Sequence, residues 1–169
     1  MPSMADDVLG GADPSFDVPL YALSAVVYAE RGDEIMLLKR ATGSALAGQW
    51  FLPGGAVERG ELPEDGARRE LLEESGLEID GELELIGAYP IWVYGGDCLQ
   101  LSYRGAIRDG EVAVSAEHDG ARWIDPVQMR ASMTDEVVDA LAAADERVGH
   151  LVRHVRADLD RYLARTGRA

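Results

Sequence analysis

The chain has 169 residues, of which 47% are hydrophobic and 28% are charged, and this fits a globular protein with one core. Its formal net charge of −15 argues against nucleic acid polymers and anionic membranes as partners, because both repel an acidic surface. Cys98 is the single cysteine, so no internal disulfide can form. Together with the lack of a signal peptide and of an apolar membrane span, this favours a cytoplasmic location.

The first part of the chain predicts an arm followed by a β-hairpin. Residues 1–17 are rich in Gly, Pro, Asp and Ser, and we interpret them as a flexible N-terminal arm, with residues 18–169 as one domain. The apolar stretch "YALSAVVYA" (Tyr21–Ala29) predicts a buried strand. The turn signal "ERGDE" and the stretch "IMLLKR" (Ile35–Arg40) predict its hairpin partner. Further on, "WFLPGG" predicts a short extended piece that ends in a tight turn.

The stretch Pro63–Ser75 predicts a helix. Proline is tolerated at the first helical position, and the carboxylates of Glu64 and Asp65 suit the positive end of the helix dipole. Gly76 is placed to end the helix. In this interpretation Leu71 and Leu72 point toward a core.

The second half predicts three more strands and then helices. The stretches "LELIGAYPIWVYGG" and "CLQLSYRGAI" predict two strands joined by a "GGD" turn, and "EVAVSAEHDGARWID" predicts a short strand, a loop and a further strand. From Thr134, a predicted N-cap, apolar residues recur at helical spacing, and Gly149 is the predicted division between two helices. Strands mixed with helices indicate a layered α/β or α+β domain.

Three glutamates of the predicted helix fall on one face. At about 100° per residue, Glu70, Glu73 and Glu74 lie within an arc of about 100°, so their carboxylates can converge on one point. Converging carboxylates destabilise a helix unless a cation neutralises them, and hard divalent ions such as Mg²⁺ or Mn²⁺ prefer oxygen ligands. The pattern is therefore read either as a solvated acidic face or as a metal site.

The spacing around these glutamates matches a known motif. From Gly55 the chain has five residues, Glu61, seven residues, Arg69-Glu70-Leu71, one residue, Glu73-Glu74, one residue and Gly76-Leu77. It resembles, without a departure, the Nudix box G-x5-E-x7-R-E-U-x-E-E-x-G-U of the Nudix hydrolase family, where U is aliphatic. The resemblance implies a Nudix-type α/β/α sandwich with a mixed β-sheet between helices.

The resemblance also implies the activity and the roles of the box residues. The family hydrolyses a nucleoside diphosphate linked to another moiety, with Mg²⁺ or, as a substitute, Mn²⁺. By analogy, Glu73 and Glu74 ligate the metal and Glu70 either ligates it or acts as the base on the attacking water. The Gly54 carbonyl completes part of the metal's coordination shell.

Two further box residues are assigned supporting roles by the same resemblance. Arg69 is expected to orient the glutamates by pairing with them. Glu61 is expected to hold Arg69 or to contact a metal through water. A carboxylate just before the last strand is frequent in relatives as an extra ligand or base, and Glu117 in "EHDGARW" is the candidate here.

Substrate contacts are predicted at residues near the presumed cleft. A basic residue at the end of the second strand often contacts substrate phosphates in relatives, which makes Arg40 a candidate; Arg104 is a weaker one. Aromatic residues can stack on a nucleobase. Trp50 and Tyr94 are the aromatic candidates, with Tyr89 and Trp92 as alternatives, and each of the four equally fits a core or rim position.

The remaining histidines and the cysteine are given structural interpretations. His118 is expected to face solvent, with proton transfer beside the site as the alternative, and Cys98 is expected to be a buried strand residue. His150 and His154 form an i,i+4 pair on a predicted helix and are expected to be a surface pair. The C-terminal helices pack either on the sheet or at a dimer contact, and because dimers are common in the family, the resemblance favours a homodimer.

Three functions are considered, and the intact Nudix box favours the first. The first is a pyrophosphohydrolase acting on a nucleoside triphosphate or on a sugar nucleotide such as ADP-ribose. The second is a nucleotide or ADP-ribose sensor on the same fold, but such proteins usually lose box glutamates. The third is isoprenoid isomerisation, which needs a positioned cysteine and a modified box.

Overall fold

The computed structural model of the protein describes residues 21–44, 46–93 and 96–168, so the predicted arm, residues 1–17, lies outside the described residues. The strands are β1 (Ala22–Arg31), β2 (Glu34–Arg40), β3 (Trp50–Phe51), β4 (Gly54–Ala56), β5 (Glu84–Val93), β6 (Gly96–Ala106) and β7 (His118–Ile124). The helices are α1 (Pro63–Ser75), α2 (Pro126–Ser132), α3 (Asp135–Ala144) and α4 (Glu146–Thr166).

The strands form one mixed sheet centred on β1. The strand order is β3-β2-β1-β6-β5, with β4 also paired to β1 and β7 also paired to β2. The long β1–β6 pair is parallel, and the other pairs described are antiparallel. β1 and β2 form the predicted hairpin.

Helices cover both faces of the sheet, because side chains alternate along β1. Ala25, Val27 and Ala29 belong to an apolar core that includes Ala67 and Leu71 of α1. Tyr28 belongs to a second core on the opposite face. That core includes residues of α4, namely Leu159, Tyr162 and Leu163. The predicted α/β/α sandwich with a mixed sheet is therefore confirmed.

Helix α1 has the predicted bounds. Pro63 occupies its first turn, and Gly76 ends it in the left-handed conformation (φ 73°), with its N–H donating to the Leu72 carbonyl. The prediction for Leu72 is wrong, because that side chain is 47% exposed whereas Leu71 is fully buried. A helix face that carries Glu70, Glu73 and Glu74 leaves only a narrow stripe for the core.

The predicted short strand in "EVAVS" (residues 111–115) is absent. Its backbone donors are used elsewhere: Ala113 N–H donates to the Ser75 carbonyl at 2.8 Å, and Ser115 N–H donates to the Glu74 carbonyl at 3.0 Å. These carbonyls are among the last of α1 and have no partner within the helix. The segment therefore caps α1 and does not join the sheet.

The C-terminal helices divide at a different residue from the one predicted. Thr134 caps α3 as expected, but α4 begins after Asp145, whose side chain accepts from Arg147 N–H. Gly149 lies inside α4, where an added Cβ would come within 2.3 Å of Ala142 Cβ. This glycine allows close helix packing and ends no helix. Helix α2 was not predicted, because its seven residues are too few to show a helical periodicity.

No helix in the described part of the chain combines the length and the apolar character needed to cross a membrane.

Candidate active site

The backbone of β4 approaches β1 too closely for side chains. Gly54 has a φ of 147°, and a Cβ there would lie 2.3 Å from the Ala25 carbonyl oxygen. Strand β4 pairs with β1 through Val26 and Gly54 and through Ala25 and Gly55. Two consecutive glycines thus let this backbone lie between β1 and the acidic face of α1.

Arg69 is the centre of the acidic cluster. Its Nε and Nη2 donate to the two carboxylate oxygens of Glu61 at 2.9 and 3.1 Å, in a bidentate pair. Its Nη1 donates to Glu70 at 2.9 Å and to Glu73 at 3.2 Å, and Nη2 also donates to the Ala56 carbonyl at 2.9 Å. The hydrogen bonds to Glu61 raise the pKa of Arg69 and lower the pKa of Glu61, so both groups stay charged.

Two glycines make room for the carboxylates themselves. A Cβ on Gly55 would lie 2.7 Å from the Glu70 carboxylate carbon, and a Cβ on Gly66 would lie 3.0 Å from Glu61 Oε2. Glu61 Oε2 also accepts from Glu58 N–H at 2.9 Å, which fixes it from the loop side. The glycines of the box therefore serve the positions of the glutamates as well as the backbone.

Glu74 differs from the other acidic side chains because it is buried, with 6% of its surface exposed. Its Oε2 accepts from Gly54 N–H at 2.9 Å, and its Oε1 lies 3.5 Å from His118 Nε2. Burial raises the pKa of Glu74 to about 7, and the nearby Glu70 carboxylate adds to the rise. In the absence of a cation, a full negative charge at this position is unfavourable.

His118 is buried, so the expectation that it faces solvent is wrong. It begins β7, pairs with Arg40 in the sheet, and places its Nδ1 3.3 Å from Ser115 Oγ. Burial lowers the pKa of His118, and the Arg40 charge lowers it further. A histidine next to an exposed glutamate in a sequence gives no sign that β7 turns it toward α1.

Arg40 ends β2 and Glu117 precedes β7, so the two residues lie where adjacent loops meet the sheet at the border of the site. Their side chains approach to 3.7 Å, and Glu117 remains 72% exposed. The loops are joined by Ala41 N–H donating to the Glu117 carbonyl and by Thr42 donating to Asp119 Oδ2 through both N–H and Oγ1. The two predicted side chains are thus brought together at one rim.

A cleft of about 700 Å³ joins these features. Six predicted site residues line it: Arg40, Gly54, Glu70, Glu73, Glu74 and Glu117. Arg69 is not part of the lining but bonds Glu70 and Glu73, and Glu61 bonds Arg69. Cys98 is in β6 as predicted, but it is half-buried rather than buried and also lines the cleft.

The aromatic candidates are placed differently. Trp50 is not part of the cleft lining, and its ring packs under the Arg122 guanidinium at 4.3 Å. Phe51, the next residue of the same strand, lines the cleft in its place, because successive strand residues face opposite sides. Tyr89 packs against Arg161, and Tyr94 lies outside the described residues.

The carboxylates of α1 fit a hard divalent cation by donor chemistry, since three of them line one cleft from adjacent helical positions. Among the described residues, however, no three acidic, histidine or cysteine side chains are gathered closely enough to hold a metal ion. The contacts explain this: Glu70 and Glu73 are bonded to Arg69, and Glu74 is bonded to Gly54.

Comparisons with known proteins agree with this geometry. The sequence model of the NUDIX domain matches residues 19–144. A MutT-like protein of Streptomyces ambofaciens is 30% identical over 135 residues, which cover 77% of this chain and 83% of that protein. The oxidized purine nucleoside triphosphate hydrolase of Mus musculus is 48% identical over 61 residues, 36% of each chain. The crystal structure of a MutT protein from Methanosarcina mazei Go1 superposes with a TM-score of 0.61 and 22% identity, covering 89% of this chain and 98% of that one.

Proposed function

The chain belongs to the Nudix hydrolase family, and from this premise we propose that it is a metal-dependent pyrophosphohydrolase. Its substrate in this proposal is a nucleoside diphosphate linked to another moiety, either a nucleoside triphosphate or a sugar nucleotide such as ADP-ribose. The mouse relative is named for hydrolysis of a nucleoside triphosphate, which supports the triphosphate class over the 36% of this chain that it matches. The predicted homodimer and cytoplasmic location stay predictions.

One observation carries the proposal: the acidic face of α1 and the glycine strand β4 border the same cleft as a cationic side chain. Glu70, Glu73 and Glu74 line one wall, and Arg40 lines the rim. A diphosphate needs positive charge around its oxygens, and an acidic wall supplies it only by recruiting cations. The arrangement therefore reconciles a net charge of −15 with an anionic substrate.

The residues that would hold Mg²⁺ are Glu70, Glu73, Glu74 and the Gly54 carbonyl. When bound there, the ion neutralises phosphate charge and lowers the pKa of the attacking water. Arg69 keeps Glu70 and Glu73 near the cleft through its hydrogen bonds, and Glu61 keeps Arg69 in place. Arg40 is placed to meet a phosphate oxygen from the opposite rim.

The reaction requires one proton acceptor. The water oxygen forms a bond to phosphorus, the bridging P–O bond breaks, and the leaving phosphate takes the bonding electron pair. In the proposal a carboxylate oxygen of Glu70 takes the proton of the water. Glu117 is the second candidate for this step, because its exposed carboxylate lies at the same rim.

The test is hydrolysis of a panel of nucleoside triphosphates and sugar nucleotides with Mg²⁺, with EDTA as the metal-free arm and product identification by mass. We expect a nucleoside monophosphate or diphosphate and a second phosphate product, formed only with metal. The Glu74→Gln variant should lose about 100-fold or more in rate. Glu64→Gln, an exposed change on the same helix, is the matched control and should retain the rate.

Two results would contradict the proposal. Tight metal-dependent nucleotide binding without products would favour the sensor. An unchanged rate in Glu74→Gln, with the fold intact by circular dichroism, would remove the acidic face from the mechanism.

A further inference from the structure

The cleft has two chemically different ends. One end carries the glutamates of α1. The other is lined by uncharged polar side chains, Ser24, Cys98 and Gln100, and by the buried apolar side chains of Ile91 and Leu151, with the Asp97 carboxylate also in the lining. Apolar walls around a few hydrogen-bonding groups are typical of a site for a small organic moiety, whereas they offer little to a phosphate.

The sheet register gives the separation of the two ends. Ser24 on β1 lies between Ala56 on β4 and Gln100 on β6. Neighbouring strands are about 4.8 Å apart, so Gln100 is about 10 Å from the glycine strand that borders the acidic wall. A substrate whose diphosphate lies at β4 would extend its remaining part along this direction.

The Gln100 side chain is held by a residue of α4. Its Nε2 lies 3.3 Å from His154 Nε2. In this orientation of the carboxamide, Gln100 Nε2 donates and His154 Nε2 accepts, with the His154 proton on Nδ1. The contact uses one N–H of Gln100 and leaves the other N–H and the carbonyl oxygen for a ligand.

His154 is itself held in place. Its ring packs edge-on against Tyr89, with centroids 5.3 Å apart, and Asp158 lies one turn further along α4. Asp158 is buried and accepts from Tyr28 Oη at 2.9 Å, which ties the helix to β1. His150 accepts from Trp92 N–H at 3.3 Å and ties the start of α4 to β5. His150 is exposed, as predicted, and His154 is half-buried, and both histidines also connect α4 to the sheet.

Helix α4 lies outside the part of the chain that matches the NUDIX domain, which ends at residue 144. Its contributions to the cleft, the Leu151 side chain and the His154 contact, therefore lie outside the residues that carry the matched sequence pattern. Residues outside that pattern, at one end of the cleft, are suited to selecting among substrates that share a diphosphate.

We propose that α4 completes a recognition subsite in which Gln100, positioned by His154, hydrogen-bonds the edge of the substrate's heterocyclic base between Ile91 and Leu151. The proposal rests on the proposed function and names the part of the substrate that this end of the cleft selects. Gln100 is the specificity-determining residue, and His154 is a positioning residue that acts through it. A flat heterocycle fits the combination of apolar walls and one amide better than a sugar, whose hydroxyls would need more polar partners.

The experiment compares binding of the four common ribonucleoside monophosphates by calorimetry, with turnover of the corresponding triphosphates measured separately. We expect the wild type to distinguish the bases, and Gln100→Leu to reduce the ratio between its best and worst ligand about 10-fold. Gln128→Leu, an exposed glutamine on α2, is the matched control and should leave the ratio unchanged. Equal weakening for all four bases, or no discrimination in the wild type, would overturn the proposal.

Two variants of His154 test its role as a positioning residue. His154→Leu should flatten base discrimination in the same way as Gln100→Leu, while His154→Gln, which keeps a hydrogen-bonding partner, should restore at least part of it. A purely structural role would lower the melting temperature in both variants without changing the ratio between bases. Turnover measurements distinguish the two proposals. Hydrolysis without selection among bases would contradict only the recognition subsite, whereas base-selective binding without hydrolysis would contradict only the proposed function.

Discussion

The two faces of the central sheet pack against cores of different polarity. Toward α1, the core is apolar, and the charged groups are collected at its edge around Arg69. Toward α4, polar contacts run through the interior: Tyr28 bonds Asp158, Tyr162 bonds Glu30, and His154 contacts Gln100. On the α1 side, the apolar residues of the core are distinct from the charged residues of the candidate site. On the α4 side, polar residues contribute both to the core and to the cleft.

The difference has an energetic consequence. Apolar packing tolerates small changes, whereas a buried polar group is costly when its partner is lost. On the α4 side, Asp158 Oδ1 and Ser102 Oγ are already buried without a hydrogen-bond partner. Substitutions at the α1 edge should therefore act mainly on catalysis, whereas substitutions of the buried polar groups beneath α4 should also act on stability.

Among the variants that compare the two sides of the sheet, Gly55→Ala has the largest expected effect. The added Cβ would meet the Glu70 carboxylate at 2.7 Å and force it out of its position against β4. Displacement of a reacting group by about 1 Å costs about 100-fold in rate, and we expect that loss in kcat/KM of metal-dependent hydrolysis. The melting temperature should change little, because the obstacle is the end of a side chain.

Gly120→Ala is the matched control, since its nearest neighbour would be a Trp50 ring atom at 4.0 Å. It should retain activity. Retained activity in Gly55→Ala would mean that the position of Glu70 against β4 is not needed for the reaction.

The next effect belongs to the α4 side. Tyr28→Phe removes the hydroxyl that donates to Asp158 at 2.9 Å and leaves a buried carboxylate less satisfied. We expect a loss of about 2 kcal/mol in the free energy of unfolding, measured by urea denaturation. Tyr162→Phe is the control: its hydroxyl donates to Glu30, which also accepts two hydrogen bonds from Arg104, so that loss should be smaller.

A double variant sharpens this prediction. Replacing both partners, with Tyr28→Phe and Asp158→Leu together, removes the unsatisfied carboxylate and should recover part of the lost stability. A double variant less stable than Tyr28→Phe alone would show that Asp158 is satisfied by other groups and that the interior polarity is not the source of the cost.

The α1 side could be predicted from sequence because its partners are local. The helix bounds, the arc of Glu70, Glu73 and Glu74 and the glycine turn all lie within one short stretch of chain. The box pattern does not specify that Gly55 accommodates Glu70 or that Arg69 reaches the Ala56 carbonyl. Both contacts depend on how β4 lies against α1.

The α4 side could not be predicted, because its contacts join distant parts of the chain. Tyr28 and Asp158 are separated by 130 positions, and neither lies in a motif. Gly149 shows the same limit: glycine at a helical position predicts a break, but close packing on Ala142 explains it. Alternation along β3 could have distinguished Phe51 from Trp50 only if the cleft-facing side of the strand had been known.

The smallest expected effect concerns Glu74, which is the exception on the α1 side because it is a buried charge. Burial raises its pKa from 4.5 to about 7 in the metal-free protein. A carboxyl group whose pKa is raised on folding costs nothing below its unfolded pKa, and its cost grows as the pH rises through the folded pKa. Glu74→Gln is neutral at every pH and keeps an oxygen for Gly54 N–H, so it avoids this cost.

In EDTA, therefore, Glu74→Gln and the wild type should have equal free energies of unfolding near pH 4.5. At pH 8 the free energy of unfolding of the variant should be higher by about 1 to 2 kcal/mol. The pKa difference sets an upper bound of about 3 kcal/mol on this gain. Urea denaturation across this pH range measures the gap. Mg²⁺ should reverse the order at pH 8, because only the carboxylate gains from the ion. A difference in stability between Glu74→Gln and the wild type that does not change with pH would contradict this prediction. It would mean that burial does not make the charged form of Glu74 unfavourable.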